Sequence, residues 1–106
     1  MTPDKLIGLL GMCRRAGRLV TGFDAVVALC STEKALLMIA GDAADRTIKE
    51  LHFRLPEQTV YRVSLTKEET ARAIGSHKPI AVLATADKGF SKAILQYVEE
   101  ESHHDD

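Results

Sequence analysis

The sequence predicts an α/β fold, a sheet with helices packed on both of its faces. Short apolar runs alternate with segments of helical period along the whole chain. Two of those runs, Leu36-Leu37-Met38-Ile39-Ala40 and Ile80-Ala81-Val82-Leu83-Ala84, are unbroken, as in strands buried on both faces. No linker or internal repeat divides the 106 residues, a length that suits one domain.

The elements follow in order. Leu6, Leu9, Leu10 and Cys13 recur at i, i+3, i+4 and i+7, one face of a first helix. Pro3 suits its first turn and Gly17 its stop. Arg18-Leu19-Val20 is then a short strand. In Thr21-Gly22-Phe23-Asp24 a hydroxyl precedes a carboxylate by three residues, which resembles a capping box opening a second helix to about Cys30. After the strand at Leu36 to Ala40, Asp42 is placed to cap a helix carrying Ala44, Ile48 and Leu51 inward. Thr59 to Val63 is a β-rich run. Thr66-Lys67-Glu68-Glu69 is a second capping box, opening a helix that ends at Gly75. The last strand lies within Pro79 to Thr85, and Asp87 caps a final helix whose Phe90, Ala93, Ile94 and Tyr97 share a face. The domain is expected over residues 1–98, with 99–106 a disordered acidic tail that has almost nothing to bury.

Charge needs to be read by region. The chain has 14 Lys and Arg against 15 Asp and Glu, a net charge of -1. Five of the acids fall between Glu99 and Asp106, so the body alone is weakly basic. Such a body can meet a polyanion without requiring one. No stretch approaches the roughly 18–20 apolar residues that span a bilayer. Met1-Thr2-Pro3-Asp4 lacks the charged-then-apolar start of a secretory signal, so the expected location is the cytoplasm, with no membrane partner. Cys13 and Cys30 lie outside any paired spacing and read as buried free thiols of a reducing compartment.

Catalytic chemistry finds no foothold. Neither cysteine has an adjacent histidine or a Cys-x-x-Cys partner. His52 and His77 are isolated, and His103-His104 beside Asp105-Asp106 is a short tract without the further ligands of a closed metal site. Gly8 and Gly11 sit in a helical pattern without the preceding strand of a dinucleotide fingerprint, and there is no Gly-Lys-Ser/Thr loop. The chain is therefore expected not to be an enzyme and to need no cofactor or metal.

Binding has better candidates. Strand ends and the helix starts that follow them lie along one edge of an α/β sheet, here Thr21 to Asp24, Gly41-Asp42 and Ala86 to Gly89. Helix N-termini suit phosphate, although the same residues also serve simply as caps. Arg14, Arg15 and Arg18 could grip a nucleic-acid backbone, or only complement the dipole of the first helix. Phe23 could stack on a base or plug the sheet edge.

Four blocks then occur in a familiar order. They are Leu9-Leu10-Gly11, leading through Arg14-Arg15-Ala16-Gly17-Arg18-Leu19-Val20-Thr21-Gly22; Leu37 to Ala43; Arg72-Ala73-Ile74-Gly75; and Asp87-Lys88-Gly89-Phe90. Together they resemble the kink-turn-binding ribosomal proteins, the large-subunit seven-Ae and thirty-e group, and within it the bacterial YlxQ-type members, over roughly Lys5 to Leu95. The resemblance implies a three-layer α-β-α sandwich with a four-stranded mixed sheet. It also implies binding of a kink-turn or of ribosomal RNA, with Gly22, Phe23, Asp24 and, one turn on, Ala28 at the sheared G·A pairs. Ser76, His77, Lys78, Pro79 and Ile80 would pack against the unstacked nucleotides, while Arg14, Arg15, Arg18 and Lys78 would hold phosphates. The ribosomal pattern Gly-x-Asn-Glu-x-x-Lys reads here as Gly22-Phe23-Asp24-Ala25-Val26-Val27-Ala28. With its Glu and Lys replaced by Ala25 and Ala28, a different reading stands beside the first. In it the scaffold has lost kink-turn binding and docks on proteins of the ribosome or transcription machinery.

Overall fold

Leu36–Ile39 and Val82–Thr85 are buried at every position, and the rest of the fold is arranged around them. The computed structural model describes residues 4–101; Pro3, the His103-His104 tract and the rest of the acidic end from Ser102 lie outside those residues. In chain order the elements are α1 (Asp4–Arg15), β1 (Val20–Thr21), α2 (Phe23–Thr32), β2 (Leu36–Ile39), α3 (Asp45–Arg54), β3 (Val60–Arg62), α4 (Lys67–Ile74), β4 (Val82–Thr85), α5 (Lys88–Leu95) and β5 (Glu99–Glu100).

The strands lie in the order β1-β4-β2-β3-β5. β2 and β3 run parallel, while β4 is antiparallel to both of its neighbours. Alternation along the strands divides the core in two. Leu37, Ile39, Val82 and Ala84 pack with Val26, Val27, Ile48 and Leu51, so α2 and α3 cover one face. Leu36, Met38 and Leu83 pack with Leu6, Leu10, Ile74 and Ile94, so α1, α4 and α5 cover the other. An unbroken apolar run is what two covered faces demand, as predicted.

The sheet has five strands rather than the expected four, because Glu99–Glu100 pairs antiparallel with Tyr61 and Arg62. This corrects the expected disorder at Glu99 and Glu100, while residues 102–106 of the expected tail lie outside the described residues. Pairing at a sheet edge satisfies backbone groups and tolerates exposed charge, so a lack of apolar residues did not exclude a strand. Arg62 completes the edge, its Nε donating to Glu101 Oε1 at 2.8 Å.

Helix ends follow the sequence in part. Gly17 closes α1, its N–H donating to the Arg14 carbonyl while the Arg18 N–H donates to that of Cys13, a Schellman pair. Thr66 caps α4 in a complete capping box with Glu69, and Asp87 caps α5 by accepting from the Phe90 N–H at 2.9 Å. Two expected caps fail. Thr21 lies in β1 opposite Leu83, leaving Gly22 as the cap residue of α2. Asp42 does not cap α3, which begins after Ala44; its Oδ1 instead accepts from the Lys67 N–H of α4 at 2.7 Å. Ala43 rather than Ala44 turns inward. The two errors share a cause, since a tight turn between strand and helix moves the helix start by one to three residues.

Gly41 is held where a side chain would be crowded by backbone. A Cβ there would lie 3.1 Å from the Val63 carbonyl oxygen and 3.3 Å from that of Leu65. This close approach lets the Gly41 N–H donate to Leu65 at 2.7 Å and joins the β2 turn to the segment after β3.

Two substitutions separate core from cap. Leu37→Ala, at a fully buried position, should lower stability by roughly 2–5 kcal/mol. Thr66→Ala should cost about 1 kcal/mol by opening the capping box. Urea unfolding with an unchanged m-value measures both, and equal losses would contradict the division of roles.

Candidate functional site

The pairing of β1 with β4 decides which sequence-predicted residues meet. Val20 lies opposite Ala84 and Thr21 opposite Leu83, so Gly22 arrives beside Val82 and donates its N–H to the Val82 carbonyl at 3.0 Å. Gly22 has φ 97° and ψ 146°, a region that L side chains rarely adopt. No side chain caps α2, and a Cβ on Gly22 would meet nothing within 4 Å. The start of α2 therefore presents its positive dipole end beside open space, where an acceptor or a backbone can approach.

Around this start is an open groove of about 440 Å³. Gly22 and Phe23 form one wall, Pro79 to Val82 a second, and Arg46, Thr47 and Glu50 of α3 a third. The loop leading into β4 is pinned. Ser76 Oγ donates to the Lys78 carbonyl and accepts from its N–H, and the Ile80 N–H donates to the Lys67 carbonyl at 3.1 Å. Phe23 packs on the core of the α2–α3 face, and the Arg54 guanidinium lies 5.8 Å from its ring centroid, within cation–π range. The ring thus plugs the sheet edge while still lining the groove.

Of the predicted residues, Gly22, Phe23, Pro79 and Ile80 come together in this groove. Asp24, His77 and Lys78 are exposed on its flanks and do not line it. Arg14, Arg15 and Arg18 are not part of it. Arg18 faces Asp87 at 3.8 Å, at the start of α5 and beyond the far end of β4. Arg18 and Gly22 are separated by extended chain of about 3.3 Å per residue, so roughly 13 Å divides them. The expected single edge is also corrected, because the antiparallel direction of β4 carries Ala86 to Gly89 to the opposite end of the sheet from Gly22 and Gly41-Asp42.

Arg46, Thr47, Glu50 and Arg54 were missed by sequence reasoning. Their spacing marks the exposed face of α3, opposite Ile48 and Leu51, but an exposed polar face carries no sign of what stands across from it. Only the tertiary placement of α3 beside Gly22 makes them a site.

No group of three metal-ligating side chains occurs among the described residues, and no described helix is long and apolar enough to cross a membrane. Cys13 is fully buried and Cys30 half-buried, and both are free thiols. Burial pushes both thiols above their ordinary value of 9.0; at Cys13 a hydrogen bond with Thr85 opposes the rise and the Asp87 charge adds to it.

A family model described as the ribosomal protein L7Ae/L30e/S12e/Gadd45 family matches residues 4–95. The chain is similar to a protein of Enterococcus faecium named "RNA-binding protein YlxQ", at 33% identity over 98 residues, covering 91% of this chain and 93% of that one. A solved structure of a protein with unknown function from Bacillus halodurans C superposes with a TM-score of 0.74 at 32% identity, covering 87% of this chain and 94% of that one.

The raised thiol values fix a pH dependence. A thiol held protonated by the fold contributes stability that is complete below its unfolded value and is lost as pH rises through the folded one. Stability should therefore decline from about pH 9 upward, and Cys13 should resist iodoacetamide at neutral pH until urea unfolds the chain. Rapid alkylation of Cys13 in the native protein would contradict its burial.

Proposed function

The chain belongs to the ribosomal protein L7Ae/L30e/S12e/Gadd45 family, and on that premise we propose that it is a non-enzymatic RNA-binding protein that recognises a kink-turn-like bend. The observation that supports this reading most is the meeting of Gly22 and Phe23 with Pro79 and Ile80 in one groove. These are the two segments, distant in sequence, that the resemblance assigns to bent RNA. The relative from Enterococcus faecium carries RNA binding in its name, which is in keeping with the proposal.

The geometry suits that ligand. RNA displays its bases to a protein mainly where the helical stack is broken. The uncapped start of α2 offers N–H groups to acceptors on such bases or to phosphate. Pro79 and Ile80 give an apolar surface for an unstacked nucleotide, and Arg46 supplies a cation for the backbone. Asp24, Ala25 and Ala28 are exposed, so no side chain replaces the family's glutamate and lysine on α2. Losing two contacts of about 1–3 kcal/mol each weakens affinity by roughly a hundredfold or more, which leaves α3 a larger share of the work.

Docking of a protein on α2 finds less support. Val26 and Val27 are buried, so the helix shows outward only small side chains where a large apolar patch is needed.

A titration against a kink-turn RNA at low and high salt tests the proposal, with a control in which Watson–Crick pairs replace the G·A pairs. Submicromolar binding that disappears in the control is the expected result. Equal, weak and salt-sensitive binding to both RNAs would reduce the interaction to electrostatic attraction. Within the same assay, Arg46→Glu should lower affinity about tenfold and reduce the salt slope by about one. Arg15→Glu, outside the groove, should leave the slope nearly unchanged.

A further inference from the structure

A second groove, of about 660 Å³, opens at the opposite end of the sheet. It lies where β2 and β3 begin and β4 ends, and α5 forms one side. Apolar groups contributed by Leu36, Tyr61 and Leu95 line it, and Lys34, Lys88 and Lys92 stand among them. Glu57 is its one lining carboxylate. None of the three lysines forms an ion pair with a described carboxylate. Leu95 is 44% exposed, one of three large apolar side chains left so open among the described residues.

We propose that this groove docks an acidic protein segment that carries an apolar anchor, a partner separate from the RNA proposed above. Unpaired lysines beside exposed leucine form a surface that is complementary in both charge and polarity to such a segment. An apolar side chain would cover Leu95 beside the half-buried Tyr61 ring while flanking carboxylates reach Lys34, Lys88 and Lys92. The groove is less suited to a nucleic acid. It has no arginine to fork onto phosphate, and its one aromatic ring, Tyr61, is half-buried rather than open for stacking. A span of the central strands separates the two grooves, so both ligands can be held together.

The test uses the full chain, labelled with ¹⁵N, and a synthetic acidic peptide of alternating Asp, Glu and Leu. One control peptide has its leucines replaced by alanine, and another has its acids replaced by amides. The expected result is a shift of the amides of Lys34, Tyr61, Lys88, Lys92 and Leu95, with those of Gly22, Phe23 and Ile80 unmoved. Both control peptides should bind at least about tenfold more weakly. Lys34→Glu with Lys88→Glu should weaken the acidic peptide by about tenfold or more; Lys88 lies in the first turn of α5, where a carboxylate suits the dipole, so the fold is kept. Leu95→Ser is a second variant with the same expected loss and no change of charge. Equal binding of the alanine peptide would overturn the proposal, as would binding indifferent to these substitutions. Tighter binding of a single-stranded RNA oligonucleotide at the same amides would assign the groove to nucleic acid instead. Concentration-dependent shifts of those amides in the chain alone would assign it to a second copy.

Discussion

The antiparallel pairing of β4 with β2 is the constraint on which the rest of the molecule depends. Leu36 to Ile39 and Val82 to Thr85 are paired residue for residue and covered on both faces, so neither strand can slip by one residue without exchanging the side chains that its two cores are packed around. That register places Val82 where it accepts from Gly22, and so forms the groove at one end of the sheet. It also fixes the direction of β4, which sends α5 and its lysines to the other end. Two grooves of different character thus follow from one strand pairing. The groove at Gly22 has a helix start and an arginine-bearing helix, whereas the other has lysines over apolar groups.

Much of this was legible in the sequence, for reasons that differ by element. Doubly buried strands announce themselves by unbroken apolar runs, and the helix ends at Gly17, Thr66, Gly75 and Asp87 by local chemistry that needs no distant partner. The failures all needed a partner. Thr21 has a capping hydroxyl by composition but is claimed by pairing with Leu83. Asp42 would cap the next helix by proximity, yet it reaches α4 across the turn. Glu99 and Glu100 read as solvent-loving residues, and only the free edge of β3 makes them a strand.

The site divides in the same way. Gly22 and Phe23, and Pro79 and Ile80, could be named because their motifs were recognised, but their meeting rests on register. The arginines at and just after the end of α1 illustrate the converse. Close in sequence to Gly22, they lie at the far end of an extended segment, and Arg18 is engaged with Asp87. Nearness along a strand is distance in space. The contribution of Arg46, Thr47 and Glu50 was invisible, since an exposed helix face looks the same whether it borders a groove or bulk water.

The backbone of Lys67 is held on both sides. Its N–H is bound by Asp42 and its carbonyl by Ile80, while Gly41 is joined to Leu65 just before it. These contacts make a short chain of hydrogen bonds from the end of β2, through the first residue of α4, to the apolar lip of the groove. The lip is therefore set in place by the fold before any ligand arrives, and little conformational entropy remains to be lost on association. For the bent RNA proposed above, a rigid lip would discriminate by shape, because a nucleic acid lacking the right bend would have to deform itself to fit rather than be met halfway. Selectivity in such a protein would reside as much in the stiffness of the turn at Gly41-Asp42 as in the residues that touch the ligand.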